Sequence, residues 1–240
     1  MYLLGFLLFP GGLGAAGSSA QGVDPDALYK QRENLPGAQQ AADIWAARSA
    51  GGKDFDSAWK LARACYWLGT HLPEKDRRAA LDRGVTAGDL AIRLDPSKPE
   101  GYFWMAANMG TLAESYGLTQ GLKYRGRIRD ALQKVLAMDP AWMQGSADRA
   151  LGWWYHKVPG LFGGSERLAE QHLRKALAYN PRSTVTLFFL AEVVEEAGRK
   201  DEARQLLQQV LDAPLDPDWT PEDRDFKRKA EEKLKALAKS

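Results

Sequence analysis

The sequence predicts an all-α fold, an α-solenoid of helical hairpins with a C-terminal capping helix, and three observations lead to it. Apolar residues recur with the 3.6-residue period of a helix, as in 128–136 and 203–211, and no useful run alternates as a strand does. Each amphipathic stretch then stops at Pro96, Pro140, Pro181 or Pro214, because proline cannot donate to the helix ladder and restricts the residue before it. These stops lie 44, 41 and 33 residues apart, which is the period of an array with two helices per unit, and the last interval fits a tetratricopeptide repeat.

The first segment of the chain predicts a secretory signal peptide over residues 1–20. It carries no charge, holds a short apolar run from Leu3 to Phe9, and ends in the small residues Ser18-Ser19-Ala20. We expect cleavage near Ala20 and export to the periplasm, with no transmembrane helix in the mature chain. A disordered apolar tail on a cytosolic protein is the alternative.

Residues 21–240 are expected to form a single tetratricopeptide-like repeat domain, because no linker divides them and repeats need neighbours to bury their faces. Long loops are expected at 116–121 and 157–164, and the Lys- and Glu-rich last helix is expected to be the cap. The predicted helices are 25–33, 38–50, 55–70, 77–94, 98–115, 122–137, 141–156, 166–179, 183–197, 200–212 and 221–238.

Composition excludes several classes of function. The 240 residues carry 33 Lys and Arg against 31 Asp and Glu, so the net charge of +2 gives no field that would favour nucleic acid. The single cysteine, Cys65, allows neither an intrachain disulfide nor a cysteine-based zinc site. The three histidines form no recognised metal or catalytic motif, and we therefore expect neither catalysis nor a cofactor or metal.

Two of the predicted helices carry a second stripe beside the core stripe. In 98–115 it includes Trp104 and Asn108, and in 141–156 it includes Arg149 and Trp153. Tryptophans mixed with hydrogen-bonding groups are typical of a small-ligand pocket. The alternative is that both helices are buried on two sides and their polar groups are bonded internally.

Two loop motifs adjoin these helices. The segment 121–129 places cations at alternate positions, and we expect Lys123 and Arg125 to lie near the entrance of the pocket, since arginine binds carboxylates bidentately. A solvated helix start is the alternative. The second motif, 157–165, ends at Ser165 as an expected helix N-cap, and its Leu161-Phe162 pair could fill a core gap or touch a partner.

Both the 94–113 stretch and the Val158-Pro159-Gly160-Leu161-Phe162-Gly163-Gly164-Ser165 loop resemble the T-component family of TRAP transporters. The resemblance spans roughly residues 25–215. It implies a periplasmic helical-repeat protein that partners the substrate-binding component of such a transporter and assists the uptake of a small organic molecule. Members often carry a lipid-anchoring cysteine, which is not found in this sequence after the apolar run. A general repeat scaffold in an envelope complex, which could form a homo-oligomer, is the competing hypothesis.

Overall fold

A computed structural model describes residues 22–238, and within that range the protein folds into eleven α-helices without a strand. The segment 1–20, predicted to be a signal peptide, lies outside the described residues. The helices are α1 (Pro25–Lys30), α2 (Leu35–Ser49), α3 (Phe55–His71), α4 (Glu74–Leu94), α5 (Pro99–Ser115), α6 (Leu118–Met138), α7 (Trp142–Lys157), α8 (Glu166–Tyr179), α9 (Thr184–Glu196), α10 (Lys200–Asp212) and α11 (Thr220–Leu237). The predicted all-α solenoid is therefore confirmed.

Three of the four predicted helix stops contain the same type of turn. The residue before each proline is Asp95, Asp139 or Asn180, and its side chain accepts a hydrogen bond from the backbone N–H two positions further on, at 2.9–3.0 Å. Asp and Asn favour such turns because their short side chains mimic the next backbone carbonyl. The side chain and the proline together end one helix and set the direction of the next.

The structure corrects the sequence prediction at two places. The expected long loop at 116–121 is only two residues long, because Gly117 adopts a φ of +82° and α6 starts at the next residue. The beginning of α7 is irregular, since Met143, Gln144 and Gly145 have φ values of 45°, 58° and 75°. The expected loop after Lys157 does form, and it contains a short 3₁₀ turn at Gly160–Phe162.

The helices form two layers. Consecutive helices pack as hairpins, and the odd-numbered helices also contact each other in the order α3, α5, α7, α9 and α11. One group of buried side chains fills the space between α1 and α7, and a second lies between α8 and α11, with Tyr155 packed against both.

The first and last parts of the array meet. The guanidinium of Arg32, which follows α1, forms a bidentate ion pair with Glu222 of α11 and donates to the carbonyl of Asp218 at 2.9 Å. Arg224 pairs with Glu33 at 3.0 Å across the same junction. The odd-numbered helices contact one another, whereas the even-numbered helices within residues 22–238 do not pack closely on each other, so the odd-numbered layer is the inner one. No helix within residues 22–238 is both long enough and apolar enough to cross a membrane.

Candidate functional site

The inner layer presents one aromatic side chain from each of five helices. Tyr66 lies 5.9 Å from Trp104, Trp153 stacks on Phe189 at 4.1 Å, and Phe189 meets Phe226 edge to face at 5.7 Å. Trp104 is buried, and the other four are half-buried. Large rings that keep part of their surface accessible form the apolar walls of a binding surface, since they offer area at little entropic cost.

Arg149 lies on this surface, one helical turn before Trp153 on α7. Within residues 22–238 no ion pair or hydrogen bond engages its guanidinium. Burial lowers its pKa to about 10, and only the hydroxyl of Tyr66 acts in the opposite direction. The group therefore remains charged at neutral pH without a counter-ion. A desolvated guanidinium of this kind can bind a carboxylate or a phosphate of a ligand.

Trp153 is held in place by a neighbour on α5. Its indole Nε1–H donates to Glu114 Oε1 at 2.7 Å, and the ammonium of Lys157 lies 4.2 Å from the centre of its ring. These contacts fix the orientation of the tryptophan while one edge stays accessible. Fixed rings bind ligands with less loss of side-chain freedom.

Asn108 lies inside the packing between three helices. Its Nδ2 donates to the carbonyls of Ala62 at 2.9 Å and Trp104 at 2.7 Å, and the residue is fully buried. Its Oδ1 has no hydrogen-bond partner among the described residues and faces Gly84, where an added Cβ would come within 2.1 Å of it. The amide joins α3 to α5, so its contacts resemble the internally bonded alternative more than a ligand contact.

The two predicted entrance cations make other contacts. Lys123 lies over the ring of Tyr124 at 4.8 Å, and Arg125 lies over Phe162 at 5.3 Å. Arg125 thus contacts the 157–165 loop rather than the aromatic surface. Neither cation forms an ion pair within the described part of the chain.

The 157–165 loop is tightly constrained, and it exposes an apolar residue. The N–H of Ser165 bonds to the carbonyl of Tyr155 at 2.9 Å, and Gly163 adopts a φ of +106°. A Cβ on Gly164 would meet the carbonyl oxygen of Val158 at 1.6 Å, so only glycine fits there. This constrained loop holds Leu161 outward with 90% of its surface exposed. Ser165 caps α8 as predicted.

Sequence analysis missed four residues of the inner surface. Tyr66 lies within an apolar run that gives no sign of a separate role, and Glu114 lies one position away from the second stripe of the predicted helix 98–115. Phe189 lies on the predicted helix 183–197, for which the sequence indicates only a core stripe, and Phe226 lies on the predicted Lys- and Glu-rich capping helix. The signal for Phe189 was present, because this aromatic residue falls outside the stripe of buried Leu187, Leu190 and Val194.

Comparison with known proteins gives one family and one fold. The sequence profile of a family described as "TRAP transporter T-component" matches residues 73–240. In structure the chain is similar to a thermophilic tetratricopeptide-repeat protein of Thermus thermophilus, with a TM-score of 0.65, 21% identity, and coverage of 88% of this chain and 97% of the other. It is also similar to the protein MamA, with a TM-score of 0.51, 16% identity, and coverage of 83% and 95%.

A curated relative is the Regulator of microtubule dynamics protein 1 of Caenorhabditis elegans. It is 30% identical over 115 residues, which are 48% of this chain and 50% of that protein. The chain thus matches about half the length of this relative.

Proposed function

The chain belongs to the TRAP transporter T-component family, and from this we propose that it is a non-enzymatic periplasmic accessory protein that assists a TRAP-type transporter. In this proposal residues 1–20 are the signal peptide and 21–240 form one repeat domain. The partner is the transporter's substrate-binding component. Amino-terminal sequencing of protein from the native cell tests the export, since an intact Met1 in a cytosolic fraction would contradict it.

We further propose that the inner surface binds a small organic anion. The observation that carries this is Arg149, a charged and half-buried group without a counter-ion within residues 22–238. It interacts electrostatically with Tyr66, which neighbours Trp104, and it lies one helical turn before Trp153 on α7. The guanidinium holds the acid group and the rings contact the apolar part. A free inorganic anion would make no use of the aromatic rings, so a ligand that has both an acid group and an apolar part fits better.

The test is native mass spectrometry of the full chain purified from the periplasm. We expect a retained small organic acid on the wild type, and Arg149→Met should weaken its binding by about 1–3 kcal/mol, the scale of a hydrogen bond to a charged group. Arg93→Met is the matched control, because Arg93 is exposed on the outer-layer helix α4. Equal retention by wild type and Arg149→Met would contradict the assignment of Arg149.

A second candidate function is that of a general scaffold for protein assembly in the cell envelope. Leu161 favours this function, because its exposed side chain adds little to the stability of the fold. A large apolar side chain held outward by a constrained loop is suited to insertion into a partner protein. The unpaired Arg125 beside it would favour a partner with an acidic rim.

The two functions are separated by binding to the purified substrate-binding component of a TRAP transporter. Under the accessory proposal the wild type binds it, and Leu161→Ser weakens the complex about tenfold or more if the loop is the docking site. Leu215→Ser is the control, because this leucine is also partly exposed, at 42%. If the wild type does not bind, the scaffold function with another envelope protein is favoured.

A further inference from the structure

His156 lies in the last turn of α7, between carboxylates from the two following helices. Glu166 comes from the first turn of α8, and Glu196 is the last residue of α9. The histidine side chain is 1% exposed, whereas the two glutamates are 54% and 65% exposed. The ring is therefore fixed inside the protein, and its two acidic neighbours remain open to solvent.

The two nitrogens of the ring have different surroundings. Nδ1 lies 3.0 Å from Glu166 Oε2, at hydrogen-bond distance. A carboxylate can only accept, so this contact places a proton on Nδ1, and in the neutral imidazole the lone pair is then on Nε2. Within residues 22–238 Nε2 is buried without a hydrogen-bond partner, and Glu196 Oε1 lies 3.5 Å from it.

This arrangement matches the way proteins prepare a histidine for a metal ion. A metal-binding imidazole commonly donates its other N–H to a carboxylate, which fixes the tautomer and orients the ring. Bonds of about 2.0–2.2 Å to nitrogen and oxygen, at a tetrahedral angle, separate the two ligand atoms by about 3.4 Å. The 3.5 Å between Nε2 and Glu196 fits that separation. One ligand atom from each of His156, Glu166 and Glu196 lies within 4.8 Å of the others.

The surrounding charge also favours a cation. Glu114 lies on the neighbouring helix α5, bonded to Trp153, whose ring is 5.3 Å from His156. Lys157 is a nearby positive group, and its ammonium lies over Trp153 instead of pairing with Glu166 or Glu196. Two carboxylates thus contact the histidine, and a third, Glu114, lies beside its neighbour Trp153.

We propose that His156 Nε2 and Glu196 form a binding site for a divalent transition-metal ion such as Zn²⁺, with Glu166 orienting the imidazole. Imidazole suits zinc, copper and nickel, and zinc also binds the carboxylate oxygens of Asp and Glu. Because only two protein atoms bind the ion directly, water fills the remaining positions. The site joins the ends of α7, α8 and α9. It is independent of the proposed ligand contact at Arg149.

Equilibrium dialysis of the full chain against Zn²⁺ alone at pH 7.5 tests the proposal. We expect one bound ion per chain, and a rise in melting temperature with Zn²⁺ because the ion binds the folded state. His156→Gln and Glu196→Gln should each weaken binding at least tenfold and remove the thermal shift. Glu166→Ala should weaken binding roughly 10- to 100-fold, as loss of an orienting partner does.

His172→Gln is the matched control. Its Nδ1 also contacts a carboxylate, Asp148 at 2.6 Å, and its ring stacks on Tyr155, so it is a carboxylate-bonded histidine outside the site. This variant should bind Zn²⁺ as the wild type does. Wild-type binding by Glu196→Gln, an exposed position that should not affect folding, would overturn the proposal. So would the absence of bound Zn²⁺ on the wild type, which would leave His156 as a bridge between two carboxylates.

Discussion

At the residue scale, the charge of Arg149 has no ion-pair partner within residues 22–238, so it is expected to favour ligand binding and to disfavour folding. A half-buried guanidinium without a counter-ion costs folding free energy, because burial disfavours its charged form and lowers its pKa to about 10. Had the group been half of an internal ion pair, its removal would have cost about 3–5 kcal/mol. Within residues 22–238 no carboxylate forms an ion pair with Arg149, so we expect its removal to stabilise the fold instead of destabilising it.

We therefore predict that Arg149→Met leaves the free energy of unfolding unchanged or raises it by roughly 1–3 kcal/mol, since a difference of one in pKa corresponds to about 1.4 kcal/mol. Below pH 10 the arginine is charged in both states, so this gain should be constant between pH 6 and 9. Urea unfolding at two pH values measures it. A loss of several kcal/mol would show that Arg149 holds the fold together and has no role in binding.

At the scale of the elements, α4 and α5 approach each other through glycine. An added Cβ on Gly88 would lie 2.6 Å from the Cβ of Met105 and 2.9 Å from its Cα, so α5 could not keep its position against α4. By contrast, Gly126 within α6 has nothing within 4 Å of an added Cβ. The same residue type is thus required by packing in one helix and only tolerated in another.

We predict opposite outcomes for the same substitution at these two glycines. Gly88→Ala should lower the free energy of unfolding by about 1–3 kcal/mol through overpacking, in spite of the better helix propensity of alanine. Gly126→Ala should raise it by about 0.5–1 kcal/mol, because alanine loses less conformational freedom in a helix. Chemical denaturation of both variants measures the difference, and stabilisation by Gly88→Ala would contradict the close α4–α5 packing.

At the scale of the whole molecule, a buried ion pair joins the two ends of the array. Arg32 has a side chain only 4% exposed, and its guanidinium lies within 6 Å of the rings of Tyr29, Trp67 and Trp219 in addition to pairing with Glu222. Most contacts in a repeat array join neighbours. This junction adds a contact between residues 190 positions apart, and it couples the stability of the first and last helices.

We predict that Glu222→Gln lowers the free energy of unfolding by about 3 kcal/mol, because it leaves Arg32 buried and without its counter-ion. Arg224→Ala, which breaks the exposed pair with Glu33 at the same junction, should cost less than about 1 kcal/mol. Hydrogen exchange should show faster exchange in both α1 and α11 for Glu222→Gln. Loss of protection in α11 alone would mean that the junction does not couple the two ends.

Sequence alone determined the helices and most of their boundaries. The 3.6-residue period sets which face of each helix is buried, and the Asp-Pro and Asn-Pro stops act over two or three residues, so both are local signals. The loop at 116–121 was predicted to be six residues long, but it is two residues long. The reason is also local, because Gly117 with its positive φ turns the chain at once. The loop motif at 157–165 also carried the resemblance to the family, and the backbone favours or requires glycine at two of its positions, Gly163 and Gly164.

Only the tertiary structure decided which side chains meet. Trp104, Arg149 and Trp153 were predicted from their stripes, but the neighbours that define their roles, Tyr66 and Glu114, come from other helices. Asn108 was predicted from the second stripe and Arg125 from the cations of 121–129, yet packing directs one into a helix junction and the other to Phe162. Helical period fixes the face of a residue on its own helix. Which groups face it, and whether a charge finds a partner, depend on how the array curves and closes, because those contacts join residues far apart in the chain.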